Sequence, residues 1–168
     1  MSDVGKWPRR AAVFGASGGI GRAMCEGLIA KGCERVYAGS RGGVSPSGDL
    51  MIPFAFDLND EASIQAAAET MRDAPPDWVI VASGALTLED GTGPERTYKR
   101  LSGEAMAEVF AINTIGPALI AKHVLPLMPR SERFVFAALS ARVGSISDNG
   151  LGGCPSYRAS KAALDMLL

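Results

Sequence analysis

The run Gly15-Ala-Ser-Gly-Gly-Ile-Gly21 follows the apolar stretch Ala11-Ala-Val-Phe14 with nothing between them. Few folds take a buried strand straight into a glycine turn and then a helix. Glycines are needed where the backbone turns sharply and where something must come close to it. The helix that follows, Ile20 to Lys31, carries Met24, Leu28 and Ile29 on one face and stops at Gly32. Its N-terminus offers free N–H groups and the positive end of a dipole to a phosphate. The loop therefore reads as a dinucleotide-binding turn built from Gly15, Ser17, Gly18, Gly19, Ile20 and Gly21. No Gly-Lys-Ser/Thr follows, so it is not a P-loop.

The rest of the chain repeats the alternation. Arg35 to Ala38, Met51 to Phe56, Trp78 to Ala82 and Phe134 to Ala138 read as strands. Asn59 or Asp60 can cap a helix carrying Ile64, Ala67, Ala68 and Met71, which Pro75-Pro76 closes. Ser102 can cap a long helix through about Leu127, with a kink expected at Pro117. A last helix opens near Pro155 or Ser156. Strands alternating with helices predict right-handed crossovers and one doubly wound α/β domain over residues 1–168, with a parallel sheet of order 3-2-1-4-5. In such sheets ligands sit beyond the carboxyl ends of the strands. The candidate residues all fall there: the glycine loop, Ser40 and Arg41, Asp57, Ser83 and Gly84, and Ser140.

Composition narrows the function classes. Of 168 residues, 47% are apolar and 21% charged, with a net charge of −1, as in a soluble globular domain with a core. No basic stripe points to nucleic acid, and no apolar run reaches the roughly 18 residues of a bilayer span. The first ten residues hold no secretory apolar segment, which leads us to expect a cytoplasmic protein. Cys25, Cys33 and Cys154 are scattered and odd in number, as reduced thiols would be, and the single His123 leaves no His-rich metal site.

Tyr157 and Lys161 stand four residues apart in the last helix, on one face. A free tyrosine titrates near about 10 and is a sluggish base at neutrality. A neighbouring ammonium favours the phenolate. The pair therefore suggests a proton-transfer tyrosine beside the dinucleotide turn.

Gly15-Ala-Ser-Gly-Gly-Ile-Gly21, Asp57-Leu58, Asn113 and Tyr157-Arg-Ala-Ser-Lys161, in this order and spacing, resemble the short-chain dehydrogenase/reductase superfamily. The segment from Ser140 to Asn149 with the following Ser-Tyr-Arg-Ala-Ser-Lys-Ala-Ala-Leu is similar to its C-factor-like and sniffer-type carbonyl reductases. The resemblance implies a Rossmann-type domain and an oxidoreductase that moves a hydride between NAD(P) and a carbonyl or alcohol. Tyr157 would be the acid/base, and Lys161 would lower its pKa and hold the nicotinamide ribose. Ser140 would polarise the substrate oxygen, and Asn113 would help hold a water relay to Lys161. Asp57, Leu58, Ser83 and Gly84 would border the cofactor. An acid after the second strand would favour NAD. Ala38-Gly-Ser40-Arg41 has none, and Arg41 can fork onto a 2′-phosphate with Ser40 as a further donor, so NADP is expected.

Three departures from the family pattern stand out. Val81-Ala-Ser83-Gly84 replaces the usual Asn-Asn-Ala-Gly. The usual serine slot, counted back from Gly144, falls on Ala141, with Ser140 before it and Ser145 a further candidate. The apolar pattern of the last helix still runs at Leu168, so the chain is expected to be C-terminally incomplete. By that expectation the fifth strand and the face of Ala162, Ala163, Leu167 and Leu168 lie open, the segment alone is inactive, and the full-length protein is a homo-oligomer. The alternative function is a catalytically weak nucleotide-binding scaffold or signalling protein on the same fold.

Overall fold

The computed structural model describes residues 7–44, 48–128, 131–150 and 152–168. Its sheet has five strands: β1 (Arg10–Phe14), β2 (Arg35–Ser40), β3 (Met51–Ala55), β4 (Trp78–Val81) and β5 (Val135–Ala138). They lie in the order β3-β2-β1-β4-β5 and every pairing is parallel, as the alternation of elements predicts. The helices are α1 (Gly19–Ala30), α2 (Glu61–Glu69), α3 (Gly103–Phe110), α4 (Gly116–Val124) and α5 (Pro155–Leu167).

Successive side chains of β1 enter opposite cores. Ala12 and Phe14 pack with Tyr37, Phe54, Phe56, Ile64, Met71, Val79 and Ile120 on the side of α2 and α4. Ala11 and Val13 pack with Cys25, Leu28, Val36, Ala38 and Ile80 on the side of α1. The first core is aromatic, with Phe14 edge-on to both Phe54 and Phe56 at 5.0 Å. The three cysteines are free, and burial pushes the Cys25 thiol up to about 11.

Local signals set the element ends. Asp60 caps α2 by accepting from the Ala62 N–H, and Ser102 caps α3 by accepting from the Ala105 N–H. The long helix does not run regularly to Leu127. A π-turn, Ala111–Ile115, joins α3 to α4 immediately before Pro117. Proline has no N–H, and its ring crowds the carbonyl four residues back, which is Asn113. A wider turn at that place accommodates it, and such turns are frequent at functional sites. With its flanks this helix is long and apolar enough to cross a membrane (Gly103–Leu127, mean hydropathy 1.3). Here it packs against α2 and α5, and Ile120 and Val124 enter the core.

The carboxyl ends of β1 and β2 shape the glycine loop. Gly15 has φ +101°, and a side chain there would also meet Ser83 Oγ at 2.7 Å. The N–H groups of Gly15 and Ala16 donate to the Gly39 carbonyl at 2.9 and 2.7 Å. Gly21 lets α1 press on this turn, because a Cβ would stand 2.1 Å from the Gly15 carbonyl oxygen. At the far edge β5 pairs only with β4 among the described residues. Phe134, Val135, Leu167 and Leu168 are exposed there, while Phe136, Ala162 and Ala163 are half-buried.

These contacts separate two neighbouring glycines. Gly21→Ala collides with backbone that cannot move aside and should cost at least about 1–3 kcal/mol. Gly19 has no atom within 4 Å of its Cβ position, so Gly19→Ala should leave stability unchanged or slightly raised. Urea unfolding midpoints of the two variants check this.

Candidate active site at the carboxyl rim of the sheet

Beyond the ends of β1, β3 and β4 lies a cavity of about 430 Å³. Gly15, Ser17, Gly18, Arg41, Asp57, Leu58, Ser83 and Gly84 line it, so most of the residues expected around a cofactor converge on one cleft. Ile20 is exposed at the start of α1 beside it. Asp57 holds its own loop, accepting from the Asn59 N–H at 2.8 Å while its N–H donates to Ser63 Oγ at 2.8 Å. Leu58 lies against Gly116, where a Cβ would meet its Cδ2 at 2.6 Å, and so links the end of β3 to α4. Ser83 Oγ is buried with no hydrogen-bond partner among the described residues. A buried hydroxyl without a partner is costly, and a ligand or water in the cleft would satisfy it.

Ser40 departs from expectation. It is 3% exposed, and its hydroxyl donates to the Val44 carbonyl at 2.7 Å, closing the loop after β2 instead of facing the cleft. Arg41 does face the cleft, but it is ion-paired with Glu89 from the loop after β4.

The second half of the site is built on α5. Lys161 is 4% exposed, and its Nζ donates to the Leu139 carbonyl at 2.7 Å, at the end of β5. Asn113, in the π-turn, is fully buried. Its Oδ1 accepts from the Ala85 N–H at 2.8 Å, and its Nδ2 donates to the Ala85 carbonyl at 2.8 Å and to Ser160 Oγ at 3.3 Å. Thr114 adds a bond from its hydroxyl to the Ser160 carbonyl at 2.8 Å. A Cβ on Gly84 would lie 3.0 Å from Asn113 Oδ1 and 3.4 Å from Lys161 Nζ, so glycine is what lets these groups meet. Both N–H bonds of the Asn113 side chain are engaged. In this structure that side chain clamps the end of β4 to α5 and has no donor left for a relay.

Tyr157 is half-buried beside this cluster, with Lys161 Nζ 5.9 Å from its ring centroid. The expected depression of the tyrosine is not what the geometry produces. Burial pushes the phenol above its usual value, and burial likewise pushes the Lys161 ammonium down, with Asp165 opposing. The lysine is tied to a carbonyl and stands too far off to outweigh desolvation of the phenol. Ser140 is exposed past the end of β5, and no hydrogen bond to it forms among the described residues. The Ser145 hydroxyl is engaged in its own turn, with Ser147 Oγ at 3.3 Å and the Asp148 N–H at 3.2 Å. Gly144 sits tightly on α5, with a would-be Cβ 2.9 Å from Lys161 Cβ.

Glu95 escaped the sequence reading because its partner lies 61 residues away. It is 9% exposed, and Oε1 accepts from the Ser156 hydroxyl at the start of α5. Its backbone carbonyl accepts from the Cys154 N–H at 2.7 Å. Oε2 is buried without a partner among the described residues. Burial raises the carboxyl, but bonds from the Ser156 hydroxyl and from the Glu95 and Ser156 amides outweigh it and leave the group below its usual value. The chain enters α5 through Gly152, Gly153 and Cys154, at φ +67°, +72° and +47°. A second cavity, of about 560 Å³, opens on another side of this helix, lined by Tyr98, Leu101, Val143, Ile146, Arg158 and Ala162.

Glu95→Ala should destabilise the protein by about 1–3 kcal/mol, because it strands the Ser156 hydroxyl. A carboxyl held low stabilises above its unfolded value of roughly 4.3 and loses that contribution as pH falls through the folded value. The gap in melting temperature between parent and variant should therefore be full at pH 7 and shrink below about pH 4.

The short chain dehydrogenase family model matches residues 9–168. The chain is 27% identical over 158 residues to 1-hydroxy-2-glutathionyl-2-methyl-3-butene dehydrogenase of Rhodococcus sp. strain AD45, covering 92% of this chain and 66% of that protein. It is 39% identical over 61 residues to C-signal of Myxococcus xanthus, 36% of this chain and 37% of that protein. NADPH-bound carbonyl reductase from chicken fatty liver superposes with a TM-score of 0.78 at 29% identity, covering 95% of this chain and 68% of that one. The chain thus spans about two thirds of the length of the dehydrogenase.

Proposed function

Because the chain belongs to the short chain dehydrogenase family, we propose that it is an NADP-dependent oxidoreductase acting between a carbonyl and an alcohol, with Tyr157 as its acid and base. The observation that carries this is the meeting of Gly84, Asn113 and Lys161, with Tyr157 beside them, at the rim that holds the glycine cleft. The cleft suits a dinucleotide. Gly18 and Gly19 leave the start of α1 open, Ser83 offers a hydroxyl with no partner among the described residues, and Arg41 lines the cleft, where its guanidinium can exchange Glu89 for a phosphate. The carbonyl reductase from chicken fatty liver carries NADPH, which favours the same cofactor here.

A nicotinamide cofactor bound in the cleft supplies the hydride, or takes it up in the reverse direction. The chain's own residues manage the proton. Burial keeps the Tyr157 phenol protonated at neutral pH, the form that donates to a carbonyl oxygen. In the reverse direction the same oxygen takes the proton back. The buried Lys161 ammonium, 5.9 Å from the ring, stabilises the phenolate left behind. Ser140, free on its loop, donates to the substrate oxygen. Asn113 positions the two halves by tying Ala85 to Ser160.

The purified full-length gene product should consume NADPH with a panel of aldehydes and ketones. Tyr157→Phe should abolish turnover and leave NADPH binding intact, whereas Lys161→Ala should damage both. Reduction should stay flat through neutrality and fall only as pH approaches or passes the ordinary phenol value of about 10, since the folded tyrosine holds its proton longer. Arg41→Ala should remove most of an NADPH preference of about tenfold or more, because a charge-assisted phosphate contact contributes roughly 1.5–3 kcal/mol. A Tyr157→Phe variant with normal turnover, or equal affinity of the parent for NADPH and NADH, would contradict this assignment.

A further inference from the structure

Glu89 lies outside every sequence motif, yet the fold brings it to the residue expected to select the cofactor. Its position is fixed by a closed turn. Leu88 is buried, its N–H donates to the Thr92 carbonyl at 2.9 Å, and its carbonyl accepts from the Gly91 N–H at 3.0 Å. Asp90 accepts from both the N–H and the hydroxyl of Thr92. This turn presents Glu89 to the same cleft that Arg41 lines, and the two side chains form an ion pair. They are 71% and 68% exposed. An exposed pair contributes little to stability and is readily exchanged, so it does not hold the fold together.

The pair bears on two charges of a ligand. The Arg41 guanidinium must leave the carboxylate before it can fork onto a 2′-phosphate. The carboxylate then stays beside the phosphate dianion and repels it. A 2′-hydroxyl, being neutral, meets neither penalty. We infer that Glu89 is a specificity-determining residue: a resident counter-ion that competes with the 2′-phosphate of NADP(H) for Arg41 and so sets the margin between NADP(H) and NAD(H). This rests on the assignment of the cleft to a nicotinamide dinucleotide made under Proposed function.

The test is a fluorescence titration of NADPH and NADH into the parent protein, Glu89→Gln, Arg41→Ala and the double variant. Glu89→Gln should tighten NADPH by about 2- to 10-fold at low ionic strength and leave NADH within about twofold, since a screened pair is exchanged and a repulsion removed. At least about half of that gain should vanish in the Arg41→Ala background, because the two residues act through one contact. Unchanged NADPH affinity in Glu89→Gln would overturn the inference. So would weakened NADH binding, which would make Glu89 an acceptor for ribose hydroxyls instead. A parent that binds neither nucleotide would remove the cofactor assignment itself. A parent that binds NADPH through Arg41 but ignores Glu89→Gln would remove the counter-ion alone.

Discussion

The Asn113 side chain is the joint on which the rim of this domain depends. One buried amide accepts and donates at Ala85 and donates again at Ser160, joining the end of β4, the π-turn and α5. An amide buried with its bonds unmade would cost roughly 1–3 kcal/mol, so the three segments are bound to one geometry as long as the core is dry. Lys161 and Gly84 take their places around that joint. The π-turn makes it possible, because it lets Pro117 follow within the same helical run.

Most of the fold was legible because its determinants are local. A strand of four or five apolar residues followed by a capped amphipathic helix can be recognised without knowing its neighbours. Asn59 or Asp60 and Ser102 announced α2 and α3, Asp60 being the one that caps, and the parallel order followed from the alternation of elements. Pro117 announced a disturbance but not its form. Proline fixes what the backbone cannot do, while the choice between a kink and a wider turn depends on packing on both sides.

The residues of the site were legible by position and less so by state. The glycine loop, Arg41, Asp57 and Gly84 lie at the strand ends, and Lys161 reaches the Leu139 carbonyl from α5. The direction of the Ser40 hydroxyl was hidden, since it depends on how the loop to Val44 folds back. The tyrosine shift was hidden too. Helical spacing gives the nearness of an ammonium but not how much water burial removes from the phenol. Glu95 and Glu89 were invisible for a third reason: each acts on a partner far off in sequence, from a loop whose composition shows only polarity.

The approach to α5 sets one more condition on the site. Gly152, Gly153 and Cys154 all have positive φ, opposite in sign to the helix they introduce. A helix preceded by residues of the same hand can lengthen backward by a turn, sliding its side chains relative to their surroundings. This one is stopped at Pro155, whose ring crowds the residue before it and disfavours the right-handed helical region at Cys154, which lies in the left-handed region instead. Tyr157 is the third residue after that reversal. Its height above the sheet is therefore indexed from a fixed origin, in the way a screw is indexed by a shoulder that stops its thread.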